Sequence, residues 1–330
     1  MRENFKFKDS DGVELNVYKW IPDGEIRGIV QISHGMTENV LRYDEFAKYL
    51  NNKGFIVYGH DHRGHGLTAK SKEELGYIAD NEGFDWLVRD LYELMMMIKE
   101  ENNGLPIYLF DSWRRPASYI ILSMLLRSCL RRRRFIELHG NEIDGVILSG
   151  SNGEPTKLTP LGILLSNIEI KLFGRKHTSK MMDKLSFGDF NRKFRPNRTP
   201  YDWLCSVEEE VDKYIDNEYC GFVCSASFYY DLLRGLKAIH KKENFNSIPK
   251  DLPIYIIAGD MDPVGFFGKG IVNLYNKLQS IGIKDVNYKL YKDKRHEILN
   301  EDNKLEVMND VSAWLLRKIE GCSTSKCRNS

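Results

Sequence analysis

Residues 105–110 read LPIYLF and residues 111–136 read DSWRRPASYIILSMLLRSCLRRRRFI, and this stretch decides the fold. The first six residues are apolar and predict a short buried strand, while 116–136 predict an apolar helix. A strand that turns tightly into a helix in mid-chain is where an α/β protein presents a nucleophile, on a G-x-S-x-G turn. The turn here is Asp111-Ser112-Trp113-Arg114-Arg115 and contains no glycine.

Towards the amino terminus, residues 5–8 and 14–20 flank the turn signal Ser10-Asp11-Gly12 and predict a hairpin. Residues 26–33 (IRGIVQIS) predict a more buried strand, followed by HGMTE (34–38) and a helix over 43–53 that stops at Gly54. Residues 55–58 form the next strand and lead into the loop GHDHRGHG (59–66). Residues 84–99 (FDWLVRDLYELMMMIK) form an amphipathic helix. Beyond the opening stretch, 145–149 (GVILS) is a further strand. Strand and helix alternate throughout, which calls for parallel strands joined by right-handed crossovers.

From 153 to 247 the alternation stops, leaving helices, long loops and a cluster of basic and aromatic residues. It resumes with a strand at 253–258 (PIYIIA), a helix over 270–281, a strand at 286–291 and a final helix over 304–319. The expected organisation is an α/β core over 1–152, a helical cap insertion over 153–247, the rest of the core over 248–320 and a disordered tail over 321–330.

Composition narrows the function classes. A chain of 330 residues suits one large core with an insertion. Its net charge of +1 provides no global field for nucleic acid or a membrane surface. The polar start MRENFKFKDSDG lacks the apolar run of a signal peptide, and YIILSMLL falls far short of a bilayer span. Six scattered cysteines make no disulfide framework, so the expected location is the reducing cytoplasm.

Two residues after strands carry chemistry. Asp262 lies in AGDMDPVG, just past PIYIIA, and His296 lies in KDKRHEILNE, past the last strand. Either alone reads as a turn former or a surface histidine. Together they follow the order nucleophile, acid, histidine of the α/β-hydrolases. The carboxylate fixes the imidazole tautomer and the other ring nitrogen faces the nucleophile as base. His34-Gly35-Met36 follows the strand where this fold builds half of its oxyanion hole. There the Met36 N–H is the expected donor, and His34 and Gly35 are expected to border the substrate.

The chain resembles the monoacylglycerol lipase and lysophospholipase branch of the α/β-hydrolases, the serine aminopeptidase-like hydrolases. The matching segments are HGMTE (34–38), YDEFAKYLNNKGFIVYGHDHRGHG (43–66), IDGVILSG (143–150), GDMDPVG (259–265) and RHEILNE (295–301). TPYDWL (199–204) and VDKYIDNEYCGF (211–222) look like the cap of bacterial members. The resemblance implies a mostly parallel sheet with helices on both faces, and Asp262 and His296 as acid and base. It also implies an oxyanion N–H from Met36 and a cap closing over an acyl-chain pocket.

One element departs from the family. In place of G-H-S-M-G-S this chain has D-S-W-R-R-P-A-S. Counting forward from Phe110 puts the nucleophile at Trp113; counting back from Ser118-Tyr119-Ile120 puts it at Arg115. Ser112 is the nearest hydroxyl and the candidate nucleophile, with Trp113 the candidate second oxyanion donor. Residues 114–134 hold seven of the chain's 20 arginines and no Lys, Asp or Glu, a composition unlike the lysine-rich chain around them. Residues 111 to about 134 therefore read either as translation from a shifted frame or as a lineage that lost its nucleophile.

The expected function is serine-type hydrolysis of carboxylic esters, of a monoacylglycerol or a lysophospholipid, through an acyl-enzyme. The alternative is a catalytically inactive hydrolase-fold protein that binds an acyl ligand or a partner. No cofactor and no metal are expected: Cys220 and Cys224 lack partner ligands, and His60, His62 and His65 match the family's DHRGHG loop. No nucleic acid is expected as partner, and Arg131–Arg134 read as a solvated helix end. A transient contact of the cap with a membrane surface is expected.

Overall fold

The computed structural model describes residues 1–112, 130–151, 159–187 and 190–326. Among them, strands β1 (Arg2–Lys8), β2 (Glu14–Trp20), β3 (Gly28–Ser33), β4 (Phe55–His60), β5 (Ile107–Ser112), β6 (Gly145–Ser149), β7 (Ile254–Gly259) and β8 (Val286–Tyr291) form one sheet. Their order is β1-β2-β4-β3-β5-β6-β7-β8. The hairpin β1–β2 and the β2–β4 pair are antiparallel, and every other pair is parallel. The central strands β3, β4, β6 and β7 are buried at every position, which is why they read as unbroken apolar runs.

Alternate side chains of each strand feed two cores. Ile29, Ile107, Leu109, Val146, Leu148, Ile254 and Ile256 pack towards helices α2 (Gly83–Glu101), α3 (Leu130–His139) and α9 (Lys269–Ser280). Val30, Ile32, Tyr108, Phe110, Ile147 and Ile257 pack towards α1 (Asp44–Asn51) and α10 (Lys304–Lys326). Leu91, Leu94, Met95 and Ile98 of α2 are fully buried, so truncating one of the leucines to Ala costs about 2–5 kcal/mol. The α/β-hydrolase fold class expected from the strand–helix alternation is the one observed.

Between β6 and β7 the described residues are helical: α4 (Thr159–Phe173), α5 (Lys180–Phe187), α6 (Glu208–Asp216), α7 (Ala226–Ile239) and α8 (Lys242–Asn246). A single bridge between Thr178 and Ser225 is the β-pairing seen there. Helix α7 packs on α4 but also on α2 and α3 of the core. A boundary at 247 therefore cuts through continuous packing.

Three expectations are corrected. β5 extends two residues beyond Phe110, because Asp111 pairs with Ser33 and Ser112 with Ser149. The final helix does not stop at 319: it continues to Lys326, so residues 321–326 are not a disordered tail. The low helix propensity of GCSTSK is a weak prior against a helix already propagating through several turns. The helix expected over 116–136 is seen as α3 from Leu130, running on to His139; residues 113–129 and 327–330 lie outside the described residues.

Candidate active site

The carboxyl ends of β3, β5, β7 and β8 meet on one edge of the sheet, where ligand sites of open α/β sheets form. After β7 the chain turns at once: the Asp262 N–H donates to Gly259 O at 3.2 Å, and Asp262 Oδ1 accepts the Val264 N–H at 2.8 Å. After β8 the loop folds back over β7, and the Met261 N–H donates to Lys294 O at 2.9 Å. Gly259 permits this crossing. A Cβ there would sit 2.0 Å from Lys294 O and 2.2 Å from Arg295 O. The result is His296 Nδ1 at 2.8 Å from Asp262 Oδ2, with both side chains buried. His296 Nε2 is buried and has no hydrogen-bond partner among the described residues. Alone it reads as a surface histidine; in the fold it is 3% exposed and its ring lies against Trp203.

The loop after β3 is held by buried polar side chains. His34 Nε2 accepts the His62 N–H at 3.0 Å, so its proton is on Nδ1, which donates to Gly35 O at 2.6 Å. His62 Nε2 donates to His34 O at 3.0 Å, and His62 Nδ1 accepts from His60 Nε2 at 3.1 Å. The imidazoles that resembled a metal cluster in the sequence are thus bonded to one another and to the backbone. Among the described residues no group of three or more His, Cys, Asp or Glu is placed to hold a metal. The His34 ring thus supports the loop through both of its nitrogens, and the Gly35 N–H is taken by Glu38 Oε1. Met36 is buried, and no acceptor engages its N–H among the described residues. The next residue, Thr37, sits at φ +52°, a conformation that β-branched side chains disfavour. Its carbonyl accepts from the Gly221 N–H at 3.0 Å and from the Tyr214 hydroxyl at 3.1 Å, so the helical insertion pins the strained residue.

Charge binds the site together. Arg42 donates from Nη2 to Glu297 Oε2 at 2.9 Å, and its Nε lies 3.7 Å from Glu38 Oε2. The Tyr214 ring covers the guanidinium at 5.0 Å. Nearby, Asp61 accepts from the Val40 and Leu67 N–H groups at 3.0 and 2.9 Å, and burial pushes its carboxyl up to about 6. Cys205 is the thiol closest in sequence to Trp203, but burial and then the Glu301 and Glu297 carboxylates push it well above the usual thiol range. It is no substitute nucleophile.

Ser112 is the last residue of β5, paired with Ser149, and Asp111 is fully buried between β3 and β6. Trp113, expected as the second oxyanion donor, and Arg115 lie outside the described residues, as do Ser118, Tyr119 and Ile120. A cavity of about 620 Å³ borders the oxyanion loop, lined by Thr37, Arg198, Tyr201, Tyr214 and Phe222. A larger one, about 880 Å³, lies at the amino ends of β3 and β4 among Arg27, Lys53 and Gly54, on the opposite edge of the sheet from His296.

The model of one family, serine aminopeptidase S33, matches residues 24–111 and 132–303, most of the chain. The chain belongs to the serine aminopeptidase S33 family. Among S33-like relatives, a monoglyceride lipase of Rattus norvegicus is 24% identical over 94% of this chain and 89% of that protein. A monoacylglycerol lipase of Mycolicibacterium smegmatis is 23% identical over 96% of this chain and 97% of that protein. Among solved structures, a thermostable carboxyl esterase from Bacillus coagulans in complex with glycerol superposes with a TM-score of 0.82 at 26% identity, covering 96% and 99% of the two chains. The S33 match breaks over residues 112–131, within the arginine-rich stretch.

The sequence reading singled out Asp262, His296 and Met36 but missed Trp203, Arg42 and the strained Thr37. Trp203 and Arg42 stood inside or beside quoted motifs, TPYDWL and HGMTE. Nothing local to either residue shows that it is buried against the histidine loop.

Proposed function

We propose that this chain is built as a hydrolase of carboxylic esters of the monoglyceride lipase type, working through an acyl-enzyme. The observation that carries the reading is His296: a buried imidazole braced by Asp262 at 2.8 Å, with Nε2 lacking a partner among the described residues. An unmade hydrogen bond at a buried nitrogen costs about 1–3 kcal/mol, which a purely structural histidine has no reason to retain. In the reaction a serine hydroxyl at the end of β5 attacks the ester carbonyl carbon while Nε2 takes its proton. The Met36 N–H donates to the oxyanion. Collapse expels the alcohol, which receives the proton from Nε2, and water then cleaves the acyl-enzyme by the same proton route. In the sequence as it stands Ser112 is the hydroxyl nearest that position. Trp113 is the candidate second donor.

The substrate class we assign is a monoacylglycerol or lysophospholipid. The relatives named as monoglyceride and monoacylglycerol lipases support it, as does an apolar face on α4. There Leu161, Leu164, Ile168, Leu172 and Phe173 are exposed at helical spacing, a surface suited to transient contact with lipid. No helix among the described residues is long and apolar enough to cross a membrane. The six cysteines are scattered along the chain and make no disulfide framework, in keeping with the reducing cytoplasm we assign. The helical insertion would act as the cap over the acyl chain.

The break in family match at 112–131 favours a second reading, a hydrolase scaffold without a nucleophile that binds its lipid uncleaved. Two measurements separate them. Reading the coding DNA of residues 105–140 in all three frames shows whether a G-H-S-x-G stands in another frame. Labelling with a fluorophosphonate, lost in Ser112→Ala and in His296→Gln, supports catalysis by the chain as written. Absence of labelling with no alternative frame establishes the binding protein.

A further inference from the structure

The loop that precedes α6 reaches the histidine from the insertion side. Trp203 is 1% exposed, and its ring centroid lies 5.4 Å from that of His296 with the planes 36° apart. Phe190 backs the indole at 5.1 Å, and the backbone N–H of Trp203 donates to Asn191 Oδ1 at 2.8 Å, so the residue is held from its own side. The backbone around it is laced to the histidine loop. The Glu297 N–H donates to Leu204 O at 2.7 Å, Arg295 donates to the carbonyls of Asp202 and Cys205, and Glu301 takes the Ser206 N–H at 3.0 Å.

We infer that Trp203 is a positioning residue for His296: an indole carried by the insertion covers the imidazole and holds its plane. The contact of Nδ1 with Asp262 restrains one point of the ring but leaves rotation about that line open. An aromatic face packed on the ring closes the alternative rotamers, because displacing a fully buried indole forfeits its packing. Two polar atoms on the contacting rings, Trp203 Nε1 and His296 Nε2, are buried without a partner among the described residues. A core tryptophan placed for packing alone ordinarily finds a partner for its N–H. The insertion therefore sets the geometry of the base as well as covering the site.

This inference rests on His296 being the base, and its test needs no nucleophile. Contact with a protonated imidazole quenches indole emission. Emission of the full chain in acidic buffer should therefore lie below that of His296→Gln, and the difference should vanish in a Trp203→Phe background. In NMR spectra of histidine-labelled protein, exchange of the His296 Nδ1 proton with water should accelerate in Trp203→Ala by up to about tenfold, the factor that the loss of one aromatic pair contact allows. Trp203→Phe should restore it, since a flat ring still covers the imidazole. Equal emission curves for the wild type and His296→Gln overturn the inference, and so does unchanged exchange in a folded Trp203→Ala. Should Trp203→Ala fail to fold, the emission comparison decides. A chain that hydrolyses no ester yet passes both tests keeps this inference and overturns catalysis.

Discussion

Arg42 Nη2 lies 2.9 Å from Glu297 Oε2, joining the segment after the oxyanion loop to the residue after His296 across 255 positions of chain. Both side chains are buried, and the guanidinium also faces Glu38 and the Tyr214 ring. The loop after β3 and the loop after β8 thus share one cation. Each loop then takes its place relative to the other, which the strands alone do not dictate.

Arg42→Ala leaves two buried carboxylates facing each other without their cation. The expected loss is about 3–5 kcal/mol, the usual cost of breaking a buried pair from one side. Denaturant unfolding measures it; a loss below about 1 kcal/mol, the range of an exposed pair, would show that Glu38 and Glu297 are neutralised otherwise.

Gly259→Ala places a methyl group into the carbonyls of Lys294 and Arg295. Backbone cannot swing away as a flexible side chain does, so the histidine loop must lift from β7. We expect a destabilisation of about 1–3 kcal/mol and loss of the Asp262–His296 contact. The downfield Nδ1 proton signal of His296 reports that contact, and its survival unchanged would rule out the proposed role of Gly259.

Asp90 predicts a pH effect. It takes Arg63 Nε at 2.9 Å, yet burial pushes its carboxyl up to about 8 despite the pull of Arg63. The folded-state value lies above the unfolded one, so the folded chain holds a proton that unfolding releases. Stability from this group is full at pH below about 4 and is lost as pH rises towards about 8. The advantage of the wild type over Asp90→Asn should shrink with rising pH across that window, by at most about 1.4 kcal/mol per pH unit. Unfolding free energies of both proteins, measured across the window, check the sign; an advantage growing with pH contradicts it.

Leu164→Asp with Leu172→Asp removes apolar surface from the exposed face of α4 without touching the core. Losing about 1.5–3 kcal/mol of burial per leucine, the double variant should bind anionic phospholipid vesicles at least about a hundredfold more weakly. Its melting temperature should stay as in the wild type. Equal sedimentation with vesicles would remove α4 as the lipid-facing surface.

The strands were legible because each buried strand is a short β-branched run between turn residues, a pattern local to six or seven positions. Asp262 and His296 were legible for the same reason, each standing a few residues past such a run. The length of β5 was not. Asp111 and Ser112 are polar, and only pairing with Ser33 and Ser149 keeps them in the ladder. For His34 the sequence shows a histidine in a promising loop, and only the fold shows that its ring nitrogens engage the adjacent Gly35 carbonyl and the His62 N–H of the next loop.

By itself the sequence determined the order of strands and helices, the membership of the fold class, and the places of Asp262, His296 and Met36 just past the ends of their strands. It also located the stretch where the family's nucleophile turn is replaced. Tertiary structure alone decided that Trp203 covers His296, that Arg42 joins two loops and that Tyr214 pins Thr37. The physical reason is range. Periodicity and turn chemistry act between neighbours in the chain, whereas ring contacts and buried ion pairs come into being only when the sheet has brought distant loops to one edge.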